Sequence, residues 1–132
     1  MVEIPKKVQK LLEDPKTNIV LGTVDDDNTP NAVPMNHVWI EDKETISVGD
    51  VFFSKTERNL KSVDKAVISF WKGSEGYQIK AKFKEFRNSG DLFEEKKEIV
   101  EKKDLKLRKI GLLTAEEIYI TSPGPEAGDR LI

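Results

Sequence analysis

Six or seven strand-length segments, joined mostly by short polar turns, leave this chain few folds to choose from. Ile19–Val24 (IVLGTV) reads as a buried strand, and Asp25–Pro30 (DDDNTP) as the turn that ends it. Asn31–Ile40 is a second strand and Thr45–Gly49 a third, linked by Glu41–Lys43, a connection of hairpin length. Ala66–Trp71 follows. Gly76–Phe86 then alternates Tyr77, Ile79, Ala81 and Phe83 with Gln78, Lys80, Lys82 and Lys84, the period of a strand with one wet face. Ile110–Thr121 reads as a further strand pair. Three segments have helical spacing. Residues 4–13 carry Pro5 in the first turn and Val8, Leu11 and Leu12 on one face, with Asp14-Pro15 as the stop. A second helix opens at Ser54, with Leu60 and Val63 as its apolar edge. The third, Asp91 to about Lys103, sets Leu92, Phe93, Ile99 and Val100 on one stripe and Glu and Lys elsewhere. Ser54 with Glu57, and Asp91 with Glu94, have the spacing of capping boxes. Helices do not alternate with strands, which argues against a doubly wound parallel sheet. The expected architecture is mostly β: antiparallel, closed or nearly closed into a barrel, with short helices at the ends.

At 132 residues, 37% of them hydrophobic, the chain is expected to form one domain, 1–132, around one core. It has no cysteine and a single histidine, His37. Disulfides, thiolate metal sites, a cysteine nucleophile and any site needing two imidazoles are therefore excluded. A net charge of −2 gives no overall attraction to nucleic acid or acidic lipid. The N-terminus, MVEIPKKVQKLLED, lacks the apolar centre of a signal peptide, and no apolar run approaches a membrane span, so the cytoplasm is the expected location. The tail Ser122–Ile132 is expected to be ordered only if it docks.

Two stretches concentrate polar and ring-binding chemistry. Ser54-Lys55-Thr56-Glu57-Arg58-Asn59 follows a strand and opens a helix. A helix start offers unpaired N–H groups and partial positive charge; Lys55 adds a full charge and Thr56 a hydroxyl. The stretch fits either a phosphate cradle or an ordinary capped helix. The second stretch is Asn31–His37. Pro34 inside a strand marks an edge or bulge, and Met35 offers a polarizable surface to a flat heterocycle; a protected edge strand is the plainer reading. His37 fits a general base or a packed strand residue. Asp25–Asp27 fit a metal cluster or a wet turn, and the row Lys80, Lys82, Lys84 a nucleic-acid strand or a solvated face.

In order and spacing, these pieces resemble the FMN-binding split-barrel family, also called pyridoxamine 5′-phosphate oxidase-like. The resemblance runs from about residue 8 to 121. It rests on Leu11-Leu12, then Val20-Leu21-Gly22-Thr23-Val24, Pro30–Pro34, Ile46–Asp50, Lys55-Thr56 with Asn59-Leu60, and Gly76–Lys80 before a helix. It implies an antiparallel split β-barrel and a homodimer binding FMN at the subunit interface. By the same resemblance Lys55, Thr56 and Asn59, with Ser54 beside them, hold the FMN phosphate. Pro34, Met35 and Asn36 lie along the isoalloxazine ring, and Val48, Gly49 and Asp50 pass the ring edge and ribityl chain. Gln78 is a further candidate near the ring. Two positions depart from the family pattern: Asn28 stands for a turn glycine, and Ala81 for a strand glycine. Asn tolerates the left-handed backbone such a turn needs. Arg130 is the only basic residue in the last twenty, so the basic C-terminal segment that would bind a second phosphorylated substrate is missing. That argues against the vitamin-converting reaction and favours a small FMN protein, an oxidoreductase or electron carrier. The alternatives are a deazaflavin-binding reductase on the same barrel, a flavin carrier or sensor, and a small nucleic-acid-binding barrel, which the net charge disfavours.

Overall fold

A computed structural model describes residues 1–132. In chain order the elements are α1 (Lys6–Glu13), β1 (Asn18–Val24), β2 (Pro30–Pro34), β3 (Val38–Ile40), β4 (Thr45–Asp50), α2 (Lys55–Ser62), β5 (Lys65–Lys72), β6 (Glu75–Arg87), α3 (Asp91–Glu101) and β7 (Lys109–Ile120). The seven strands form one antiparallel sheet in the order β2-β1-β5-β6-β7-β4-β3, curled into a split barrel. Its concave side is filled by Leu21, Ile46, Val48, Ile68, Phe70, Ile79, Leu113 and Ile118, all essentially inaccessible to solvent. Helix α1 packs against β3 and β5 and presses Val8, Leu11 and Leu12 into that core. A smaller cluster, Phe93, Val100, Leu107, Ile110 and Leu112, joins α3 to β7.

The segment expected to be one strand, 31–40, is two strands on opposite edges of the sheet. Pro34 has no N–H to extend the ladder. Met35 makes the last bond to β1, donating its N–H to Ile19 O at 2.9 Å, and His37 O then accepts from Gly49 N–H on β4 at 2.8 Å. Residues 35–37 thus carry the chain from one sheet edge to the other. Conversely, the expected strand pair at 110–121 is the single strand β7, because β6 pairs with it from Tyr77↔Ile120 to Arg87↔Ile110. Two register shifts, at Lys80/Ala81 and Phe83/Glu85, let this long pair bend with the barrel. Asn28 takes the left-handed conformation expected of it, with φ 63°.

The helix starts differ from expectation. Pro5 precedes α1 as an extended cap residue rather than sitting in its first turn. Gly90, at φ +95°, occupies the cap position of α3, so Asp91 is already helical and forms no capping box. The buried side of α3 also differs: Ile99 is 38% exposed, while Lys96 is 5% exposed. Lys96 goes in because Glu41 meets its ammonium at 3.1 Å and the Trp39 ring lies beneath it at 5.0 Å. The tail docks. Leu131 N–H donates to Ile118 O and Gly128 N–H to Ile120 O, which lays the last residues beside the end of β7.

Candidate functional site

The start of α2 is polar and uncapped. Ser54 occupies the cap position without a side-chain bond to the helix. The expected capping box fails because Glu57 is drawn elsewhere: its carboxylate meets Lys109 at 2.7 Å, Lys61 at 2.9 Å and Arg108 at 3.1 Å. Hydrogen bonds from Lys109 and then Lys61 hold the Glu57 carboxyl down at about 2, against an ordinary value of 4.5. Because the Ser54 hydroxyl makes no cap bond, the first-turn N–H groups have no side-chain acceptor, and Lys55 beside them is exposed and enters no ion pair. An uncapped helix start with a free cation is what a phosphate needs.

Two side chains fasten this helix to the sheet. Thr56, 2% exposed, accepts a long hydrogen bond from Asn31 Nδ2 on β2 at 3.4 Å. Asn59 donates from Nδ2 to Thr23 Oγ1 on β1 at 3.0 Å.

The helix start opens into a cleft of about 470 Å³, within the size range of small-molecule sites. Pro34, Met35 and Asn36 line it from the sheet crossing, Gly49 from β4, and Ser54, Lys55 and Thr56 from α2. Seven of the ten residues singled out from sequence thus share one cavity. The other three lie elsewhere. Val48 is fully buried in the core. Asn59 borders a separate polar recess with Lys55, Arg58 and the Asp25–Asp27 turn. Asp50 is fully buried behind the cleft wall. Its Oδ1 accepts from Phe53 N–H at 2.8 Å, and its Oδ2 lies 3.6 Å from both Arg108 and Lys109. Gln78 faces a different groove, on the sheet face with Gly22, Val67 and Lys80. In the acidic turn, Asp25 Oδ1 accepts from the N–H groups of Asp27 and Thr29 and so closes the turn itself.

Seven further residues line the cleft, among them Asn31, His37, Phe52, Phe53 and Leu105. Asn31 and His37 lay in a stretch already singled out. Phe52-Phe53, two aromatics between a strand and a helix, carry no motif, and Leu105 arrives from the distant α3–β7 connection, with no local signal. His37 is 7% exposed, and its Nε2 has no hydrogen-bond partner. Burial, and secondarily the charge of Lys103, pushes the imidazole below its ordinary value, so the ring is neutral at pH 7. No carboxylate orients it, which fits a packed wall residue better than a general base. Gly49 is required by close approach: a Cβ there would lie 2.9 Å from His37 Cβ and 3.3 Å from Trp39 and Leu107.

The Glu57 network makes a prediction about acid stability. A carboxyl depressed in the folded state takes up more protons in the unfolded chain at intermediate pH. Its stabilisation is full above about pH 4.5 and is lost as pH falls toward 2. Glu57→Gln should flatten the fall of Tm across this window; an unaltered acid limb would contradict the network.

The arrangement joins an uncapped helix start and an exposed lysine to a partly apolar slot, and no base stands within hydrogen-bond reach of the Ser54 or Lys55 side chains. The profile of the pyridoxamine 5′-phosphate oxidase family matches residues 4–122. No curated protein sequence matches the chain. Among solved structures, an FMN-binding protein from Syntrophomonas wolfei subsp. wolfei superposes with a TM-score of 0.80 at 19% identity, over 90% of this chain and 86% of that one. An F420 reductase gives 0.67 at 17% identity, over 87% and 98%. HutZ, the heme storage protein of Vibrio cholerae, gives 0.64 at 14% identity, over 90% and 95%. At these identities the three share the fold with this chain.

Proposed function

The chain belongs to the pyridoxamine 5′-phosphate oxidase family, and from that premise we propose that it is an FMN-binding flavoprotein, a small oxidoreductase or electron carrier. The observation that carries this reading is the uncapped start of α2, with Lys55 and Thr56, opening into the cleft walled by Pro34–Asn36. The phosphate would sit on the α2 N–H groups and Lys55, and the isoalloxazine ring along residues 34–36 beside Gly49. Bound FMN supplies the redox chemistry, while the chain binds, orients and shields it. This accords with a chain that has no cysteine and one neutral histidine. Titration with FMN, followed by the flavin absorbance, tests the proposal: saturable binding in the micromolar range or tighter supports it. Reduction of the loaded protein by NADH or NADPH, followed by stopped flow, separates an enzyme from a flavin carrier or sensor.

The working form in this proposal is a homodimer with flavin between the protomers. Asn31 borders both the cleft and a groove of about 790 Å³ on the outer sheet face, where Gly22, Val24, Ala32 and Val67 lie together. A second copy on that face would complete the cleft. Dilution should release flavin in step with dissociation in sedimentation. Monomers that keep flavin fully bound would contradict the interface site. A cysteine-free chain needs no oxidising compartment, and no helix is long and apolar enough to cross a membrane, so the cytoplasm suits it.

A deazaflavin is the second reading. The family relationship and the F420 reductase neighbour favour considering it, because a phosphate cradle serves either ring. Parallel titrations with FMN and F420 decide between them.

A further inference from the structure

Phe52 is 82% exposed and lines the cleft, yet nothing in the chain covers it. Its outward position is imposed by its neighbours. Phe53 takes the inward position, 9% exposed in the main core. Both backbone groups of Phe53 are held from behind: Asp50 Oδ1 accepts its N–H at 2.8 Å, and Arg108 Nη1 donates to its carbonyl at 3.1 Å. Arg108 is itself tied to Glu57 on α2. With Phe53 clamped, Phe52 stands at the cleft as a large aromatic surface on a fixed backbone. Across the cavity, the sheet crossing presents Pro34 and Met35. An exposed phenyl ring next to an apolar-walled slot is a cost to the free protein that a flat ligand would relieve.

We propose that Phe52 is a cofactor-binding residue, packing its ring against the heterocycle of a planar ligand held in this cleft. The proposal rests on the flavin reading and deepens it: the ligand is gripped at two ends, phosphate by α2 and Lys55, ring by Phe52 and the sheet crossing. The two grips should separate by ligand. Phe52 acts on the ring, so its loss is felt equally by FMN and riboflavin.

The test uses the full chain with FMN and riboflavin as probes. Phe52→Ala removes an exposed side chain and should leave Tm unchanged, while Kd rises about tenfold for both ligands, as for loss of one aromatic contact. Phe52→Trp should restore affinity and quench the bound flavin's fluorescence below its wild-type level, because an indole packed on a flavin ring donates an electron to its excited state. Unchanged affinity in Phe52→Ala, a loss confined to FMN, or Phe52→Trp fluorescence equal to wild type would each overturn the proposal. So would a Phe52→Ala protein whose subunits dissociate more readily while its saturated form binds FMN as before, since Phe52 would then serve the partner surface. A wild-type protein that binds neither flavin overturns the parent reading; flavin binding indifferent to Phe52 overturns this inference alone.

Discussion

Replacing Lys55 by alanine should weaken FMN binding about 30-fold and leave riboflavin affinity within about twofold. The expected loss is roughly 2 kcal/mol, the middle of the range for a hydrogen bond to a charged group. The difference between ligands follows from where Lys55 stands. It lies at the first position of α2, beside N–H groups that no side chain caps; Glu57 does not engage it, and it lines the cleft, which Arg58 does not. Riboflavin shares the ring and ribityl chain but has no phosphate to meet it. Added salt should narrow the gap between the two ligands, because the site is open to solvent and its charge is screened. Equal losses for FMN and riboflavin would show that Lys55 is not the phosphate ligand.

Replacing Asp50 by alanine should cost about 3 kcal/mol of stability, a fall in Tm of roughly 10 °C. Asp50 is fully buried and connects three elements: Phe53 N–H in the loop, and Arg108 and Lys109 at the start of β7. Without it, a buried N–H loses its acceptor and two cations lose a carboxylate. Asp50→Asn should be milder, because the amide oxygen still accepts from Phe53. Both variants should raise Kd for FMN and riboflavin alike, since the residue acts by holding the loop that carries Phe52. A Tm within 2 °C of wild type in Asp50→Ala would contradict this role. A loss confined to FMN would instead place the effect at the phosphate end of the site, away from the loop that carries Phe52.

Much of the barrel was legible because its strands announce themselves by local pattern. Ile19–Val24 and the alternation through Tyr77, Ile79 and Ala81 lie in β1 and β6. What sequence did not show depends on partners far along the chain. The break at Met35–His37 arises because β1 holds one side of it and β4 the other. The continuity of β7 depends on its pairing with β6 along its length. Lys96 reads as one more lysine of a solvated face, and only Glu41 and Trp39 explain its burial. The polar helix start at Ser54–Asn59 was legible, but the capping box read into it does not form: the partners that take Glu57 include Arg108 and Lys109, some fifty residues away. The resemblance set Asp50 along the ring edge and ribityl chain, whereas its side chain turns away from the cleft toward β7, a direction fixed by its tertiary partners.

In the proposed complex the uncapped start of α2 and the sheet crossing at residues 34–36 together hold a flavin phosphate ester. Its most direct measurement is titration of the purified protein with FMN, reading the visible spectrum of the bound fraction. The expected result is a saturable complex with Kd of about 1 μM or tighter, corresponding to at least ~8 kcal/mol of binding, and a yellow protein after removal of free flavin. No bound flavin band and no measurable affinity at ~100 μM FMN, a concentration that would saturate any such site, would contradict it.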